Sequence, residues 1–162
     1  MKLFDLQDRA AIVTGGNGGI GLAMGQGMAQ AGAVVVVAAR DPVKGEAAVT
    51  ALESLGVRSA FIALDVRDEA SCVNLIETVV ADFGRVDVLV NNAGTNDRKQ
   101  PEEYALAEWQ AIIDTNLTSA FMLSQRVYPV MKNAGGGKII NIGSMMSSFG
   151  ASFTVPYASS KG

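Results

Sequence analysis

The sequence predicts an α/β fold built on a doubly wound parallel sheet. Three observations carry that prediction. Short β-branched apolar runs alternate with amphipathic helical patterns, the connections between them are short, and residues 33–39 are apolar at every position, as a strand covered on both faces must be. Strand, helix and strand in this rhythm imply right-handed crossovers. Ligands in such a sheet sit beyond the carboxyl ends of the strands, where the strand order reverses.

Residues 10–13 form the first strand. It runs into Thr14-Gly15-Gly16-Asn17-Gly18-Gly19-Ile20-Gly21, which opens a helical pattern continuing to Ala31. A turn this sharp needs backbone angles that a Cβ resists, and glycine also lets backbone amides approach a ligand closely. The helix start presents unpaired N–H groups and the positive end of its dipole, so a diphosphate is its natural guest. After Gly32, residues 33–39 are the second strand. Asp41-Pro42 supplies an N-cap and a first-turn proline, and Ala47, Ala48, Ala51, Leu52 and Leu55 put one apolar face on a helix that stops at Gly56. Residues 59–64, closed by Asp65, are the third strand, followed by a helix with Val73, Ile76, Val79, Val80 and Phe83 at helical spacing up to Gly84. Residues 86–90 are the fourth strand and lead into Asn91-Asn92-Ala93-Gly94, after which residues 95–103 read as a loop with a short helical start. The longest helical pattern spans 106–133, stepping through Trp109, Ile113, Leu117, Ala120, Ser124, Val127 and Met131. Gly135-Gly136-Gly137 ends it, residues 138–143 are the fifth strand, and a last helix carries Tyr157 and Lys161. The strand ends are then the glycine turn, Ala39-Arg40, Asp65-Val66, Asn91 to Gly94 and Gly143-Ser144, so every unusual cluster falls on one edge of the sheet.

The 162 residues, 49% apolar and 18% charged, suit one globular domain and exclude disorder. A net charge of −3 leaves no basic footprint for nucleic acid. The apolar run 33–39 is too short to cross a bilayer, and the N-terminus, with Lys2, Asp5, Asp8 and Arg9, lacks the core of a signal peptide; a cytoplasmic protein is expected. Cys72 is the one cysteine, which excludes an intrachain disulfide and a multi-thiolate metal site and reads as a small buried hydrophobe. No metal centre is expected. There is no histidine, so any proton transfer falls to Tyr, Lys, Asp, Glu or water and a Ser-His-Asp triad is excluded.

Tyr157 and Lys161, four apart, share a helix face where both polar ends can meet one ligand. A free tyrosine, with a pKa of about 10, is a poor base at neutral pH, but a nearby ammonium would favour its ionised form. Ser144 can hold a carbonyl or hydroxyl oxygen against the tyrosine, or serve as a turn residue. Asn116 falls on an apolar helix face, where a buried amide needs partners.

In order and spacing, Thr14 to Gly21, Asn91 to Gly94, Asn116, Ser144 and Tyr157-Ala158-Ser159-Ser160-Lys161 resemble the short-chain dehydrogenase/reductase family, with Ser144 thirteen residues before Tyr157. The resemblance covers the whole chain and implies a single NAD(P)-binding Rossmann domain over residues 1–162. It implies an oxidoreductase that interconverts a secondary alcohol and a ketone by hydride transfer. Asn116, Ser144, Tyr157 and Lys161 are its implied catalytic residues, Tyr157 as general acid/base and Asn116 as anchor of a water leading to the lysine. Gly15, Asn17, Gly18, Gly19, Ile20 and Gly21 are implied to hold the pyrophosphate and Asp65 and Val66 the adenine. Asn91, Ala93 and Gly94, with Tyr157 and Lys161, are implied to line the ribose and nicotinamide. Relatives that prefer NAD carry an acid where this chain has Ala39, while Arg40 offers a guanidinium suited to a 2′-phosphate; NADP(H) is therefore expected over NAD(H), which stays possible.

Residues 92–99 and 137–146 resemble the branch acting on sugar acids, such as gluconate 5-dehydrogenase and 2-deoxy-gluconate dehydrogenases. Arg98 and Lys99 are read either as receivers of a substrate carboxylate or as a solvated loop, and Met145, Met146 and Phe149 either as pocket lining beside Ser144 or as core filling. The competing substrate is a 3-oxoacyl thioester, which needs an apolar acyl channel. Five strands of the family's six can be counted, and the chain ends one residue after Lys161. The expectation is an N-terminal portion, truncated within the catalytic helix, of a homo-oligomer (dimer or tetramer). The alternative from another class is a nucleotide-binding module without turnover, in which a fraying end leaves Lys161 unheld.

Overall fold

The computed structural model describes residues 4–162; Lys2, used in reading the N-terminus, lies outside the described residues. Five strands, β1 (Ala10–Thr14), β2 (Val34–Ala39), β3 (Ser59–Ala63), β4 (Val88–Asn91) and β5 (Lys138–Asn141), form one sheet in the order β3-β2-β1-β4-β5. Every neighbouring pair is parallel, with Ile12 level with Val36 on one side and Leu89 on the other. The order reverses between β1 and β4, so the glycine turn and the loop from Asn91 stand side by side at the switch point.

The continuous apolar strands alternate their side chains between two cores. Ile12, Val36 and Leu89 face α3 (Glu69–Phe83) and α5 (Ser119–Asn133), through Cys72, Leu75, Val79, Leu123 and Val127. Ala11, Val13, Val35, Val37, Val88 and Val90 face α1 (Gly19–Gln30) and α2 (Pro42–Glu53), through Ala29, Ala48 and Leu52. Cys72 is buried as expected, and burial pushes its thiol up to about 11. Asp41 and Asp68 cap α2 and α3 by accepting from Lys44 N–H and Ala70 N–H, and Gly84 ends α3 in the left-handed conformation at φ 75°.

Three expectations are corrected. The buried face of α2 is Gly45, Ala48, Val49 and Leu52, with Ala47 and Leu55 exposed, because the Phe61 ring lies where a Cβ on Gly45 would stand. The fourth strand begins at Val88, after the ion-paired Asp87, and the fifth ends at Asn141. The long helix is two helices, α4 (Leu106–Ile113) and α5, joined by a π turn over Asp114–Thr118. The wider turn inserts a residue: Ile112 ahead of it, Asn116 within it and Ser119, Leu123, Val127 and Met131 after it point inward, so Val127 and Met131 keep their expected place while Leu117 is 48% exposed. Among the described residues no helix is long and apolar enough to cross a membrane, and no three His, Cys, Asp or Glu side chains group to hold a metal. Two short helices, α6 (Met146–Phe149) and α7 (Val155–Lys161), follow β5 over the carboxyl edge of the sheet.

Candidate active site

The turn after β1 is built for close approach. Gly15 and Gly19 take φ values of +64° and +52°, a region that suits glycine. A Cβ on Gly21 would overlap the Gly15 carbonyl oxygen and the Asn92 amide, whereas nothing lies within 4 Å of where one would stand on Gly18 or Gly19. The turn is thus packed on its inner side and open on its outer side, where α1 begins with no acidic residue in its first turn. That opening fits a diphosphate.

Thr14 fastens this turn to the end of β4. Its Oγ1 accepts from the Asn92 and Ala93 N–H groups at 3.0 and 2.9 Å, and Asn92 Nδ2 donates to the Thr14 carbonyl at 2.9 Å. The Asn91 side chain turns into the protein instead: its Nδ2 donates to Asn141 Oδ1 at 2.8 Å and to Ser124 Oγ at 3.2 Å, on the α5 side of the sheet. Only its backbone remains for the crevice.

Two adjoining cavities follow the carboxyl edge. The first, about 740 Å³, is lined by Gly15, Asn17, Arg40, Asp65, Val66, Ala93 and Gly94 from the expected set, together with Lys44, Arg67, Ala111 and Thr115. Asp65 takes three hydrogen bonds from Arg67, from its backbone N–H, Nε and Nη2 at 3.0, 3.2 and 2.9 Å. These bonds, the side-chain ones foremost, hold the Asp65 carboxyl below the usual carboxylate value. Lys44 Nζ stands 3.9 Å from Asp41, so among the described residues Arg40 is the lining cation without a carboxylate partner.

The second cavity, about 630 Å³, shares Gly94 and Thr95 with the first and brings together Ile20, Ser144, Tyr157, Lys161 and Arg98. Ser144 Oγ accepts from the Met146 N–H at 3.2 Å, which orients the hydroxyl and leaves its proton free to donate. Lys161 is held, against the expectation for a fraying end: Nζ donates to the Ile142 carbonyl at 2.7 Å and its backbone carbonyl accepts from Ser147. Half-burial pushes its ammonium below the ordinary lysine value. Lys99 pairs with Glu108 and Asp97, whereas Arg98 makes no ion pair among the described residues and lies over the Phe153 ring at 5.8 Å. Met145 is 72% exposed and outside the cavity; its neighbour Met146, opening α6, lines it, and Phe149 faces solvent.

Asn116, 6% exposed in the π turn, ties three segments together. Its Oδ1 accepts from the Thr95 N–H at 2.7 Å, and its Nδ2 donates to the Thr95 carbonyl at 2.8 Å and to Ser160 Oγ at 2.9 Å. A Cβ on Gly94 would stand 3.3 Å from Asn116 Oδ1 and 3.7 Å from Lys161 Nζ, so the glycine leaves open the space between them. Sequence reasoning missed Thr95, Ser160, Lys44 and Arg67. Ser160 had a local signal, a hydroxyl on the buried side of the Tyr157–Lys161 turn, and Lys44 and Arg67 had one in the acids three and two residues before them; Thr95 had none.

Residues 9–162 match the sequence pattern of the short chain dehydrogenases. Gluconate 5-dehydrogenase of Gluconobacter oxydans (strain 621H) is 34% identical over 160 residues, 99% of this chain and 62% of the relative. The 2-dehydro-3-deoxy-D-gluconate 5-dehydrogenase of Formosa agariphila is also 34% identical, over 165 residues, covering 100% of this chain and 62% of that one. Among solved structures, L-sorbose reductase from Gluconobacter frateurii, complexed with NADPH and L-sorbose, superposes with a TM-score of 0.94 at 33% identity, over 98% of this chain and 60% of that one. The chain spans about three fifths of the length of the curated relatives it matches.

Proposed function

Because the chain belongs to the short-chain dehydrogenase family, we propose that the protein is an NADP(H)-dependent oxidoreductase interconverting a secondary alcohol and a ketone on a sugar acid or polyol. The carrying observation is the second cavity, which gathers Ser144, Tyr157 and Lys161 around one space with Arg98, unpaired among the described residues, on its wall. The first cavity and the open side of the glycine turn suit the cofactor: Gly18 and Gly19 for the pyrophosphate, Asp65 and Val66 for the adenine, Arg40 for a 2′-phosphate. When bound, the nicotinamide supplies or accepts the hydride.

The Tyr157 hydroxyl exchanges a proton with the substrate oxygen, and Ser144, whose hydroxyl proton is free, donates to that same oxygen and fixes its place. Lys161, held on the Ile142 carbonyl, keeps a cation beside this pair. A water in the space left by Gly94 would bridge Asn116 Oδ1 and Lys161 Nζ and carry the proton onward. Arg98 receives the substrate carboxylate, a role Lys99 loses to Glu108 and Asp97. The names of the relatives, which speak of gluconate and sorbose, agree with a polyhydroxylated substrate. The exposed stripe of Leu117, Phe121 and Tyr128 supports a homo-oligomer.

The test is NADPH oxidation with keto-sugar acids and with 3-oxoacyl thioesters, using wild type and Tyr157→Phe. The expected result is turnover of a keto-sugar acid that falls roughly 10²- to 10⁴-fold in the variant while NADPH binding is kept. Turnover confined to thioesters replaces the substrate class. NADPH binding without turnover of any carbonyl leaves the nucleotide-binding module without chemistry.

A further inference from the structure

The mouth of the first cavity carries two carboxylates and three cations: Asp41 and Asp65 against Arg40, Lys44 and Arg67. A carboxylate near a ribose favours a 2′-hydroxyl and repels a 2′-phosphate, so a site for a phosphorylated ribose must deal with both acids. Asp41 is occupied as the cap of α2, accepting from Lys44 N–H at 3.1 Å with Lys44 Nζ beside it. Asp65 is occupied more fully. Its Oδ1 takes both the Arg67 N–H and Nε, which uses both lone pairs, while Oδ2 takes Nη2 alone and keeps one lone pair open.

We propose that Arg67 is a positioning residue for cofactor selection: by forking onto Asp65 it cancels that carboxylate's charge toward a 2′-phosphate and leaves one Oδ2 lone pair, aimed by the fork, for the amino group of the adenine. The fork is local and planar, two residues apart in sequence with the backbone N–H as a third point, so it sets the carboxylate plane more firmly than a lysine would. Asp68 and Asp114 line, together with Asp65 and Arg67, a neighbouring hollow; Asp114 adds to the field that favours the Arg67 cation, but among the described residues neither acid pairs with it. Asp68 caps α3, and Asp114 accepts from Gln110 and Thr118. Arg67 therefore balances Asp65, and Arg40 is left as the net positive charge at the mouth. The inference rests on the NADP(H) reading above and adds a residue that no motif singles out.

The test is fluorescence titration of NADPH and NADH into the wild type, Arg67→Ala, Arg67→Lys and the double variant Asp65→Asn/Arg67→Ala. Arg67→Ala is expected to weaken NADPH roughly five- to tenfold, since the bared carboxylate repels the 2′-phosphate, and NADH about two- to threefold, since the adenine loses the aimed lone pair. Arg67→Lys, which keeps the charge, should recover most of the NADPH preference, and removing the Asp65 charge in the double variant should restore the wild-type ratio. An NADPH-to-NADH affinity ratio unchanged by Arg67→Ala overturns the proposal, and so does a double variant as poor toward NADPH as the single one, because Arg67 would then be touching the phosphate itself. A wild type without preference for NADPH overturns the cofactor reading at Arg40 first and this inference with it.

Discussion

Asn116→Ala should loosen three segments at once. The amide makes three hydrogen bonds of 2.7 to 2.9 Å, two to the Thr95 backbone and one to Ser160, and the residue is 6% exposed. At about 0.5–1.5 kcal/mol net for each lost bond, with some recovery because Thr95 reaches solvent, truncation is expected to cost roughly 2–4 kcal/mol. In a chain of this size that lowers the melting temperature by roughly 4–16 °C. Asn116→Asp is the sharper probe. It keeps the acceptor for the Thr95 N–H but sets an oxygen against the Thr95 carbonyl, so at neutral pH it should cost as much as alanine despite its conserved volume, and it should regain stability as acid protonates it. Urea melts of the three proteins measure the cost. Since Thr95 borders both cavities and Ser160 lies between Tyr157 and Lys161, kcat should also fall roughly 10²-fold, more than cofactor affinity does. An alanine variant within about 0.5 kcal/mol of wild type would refute the reasoning. So would an aspartate variant as stable as wild type at neutral pH.

Arg40→Ala is expected to weaken NADPH binding roughly tenfold or more and NADH about twofold or less, because it removes the unpaired cation at the mouth of the first cavity; isothermal titration checks the ratio, and an equal loss for both dinucleotides would contradict the role. A third measurement concerns pH. Burial would raise the Asp87 carboxyl, but hydrogen bonds from Arg85, the Ala10 N–H and Arg9 outweigh it and hold it below the usual value. A lowered folded value means that the cluster's contribution is complete above about pH 4, the unfolded aspartate value, and is lost as pH falls through the folded one. Asp87→Asn should cost about 1–2 kcal/mol at pH 7, with the two stability curves converging below about pH 4. Parallel curves down to the acid transition would show that the cluster is not titrating there.

What could be read in the sequence was whatever depends on a repeated pattern. The fully apolar second strand requires cover on both faces, and Val35 and Val37 do pack on one core while Val36 and Ala38 pack on the other. The helix from 106 to 133 was misread because periodicity assumes a constant turn. One extra residue in the π turn leaves apolar residues at helical spacing but changes which of them are inside: Leu117, expected inside, is 48% exposed, while Asn116 is buried as its place on the apolar face implied. Charges are harder still, since a cation's identity does not say whether its charge is already matched. Arg98 and Lys99 are neighbours of the same sign, yet Glu108, nine residues further on, takes the lysine and leaves the arginine on the cavity wall. The same holds at the other cavity, where Lys44 and Arg67 are matched by acids three and two residues before them and Arg40 is not. Those partners are close in sequence, so the pairing was open to be read there. What was missing is the sheet edge that turns these side chains toward one cavity, and with it the reason for the pairing to matter.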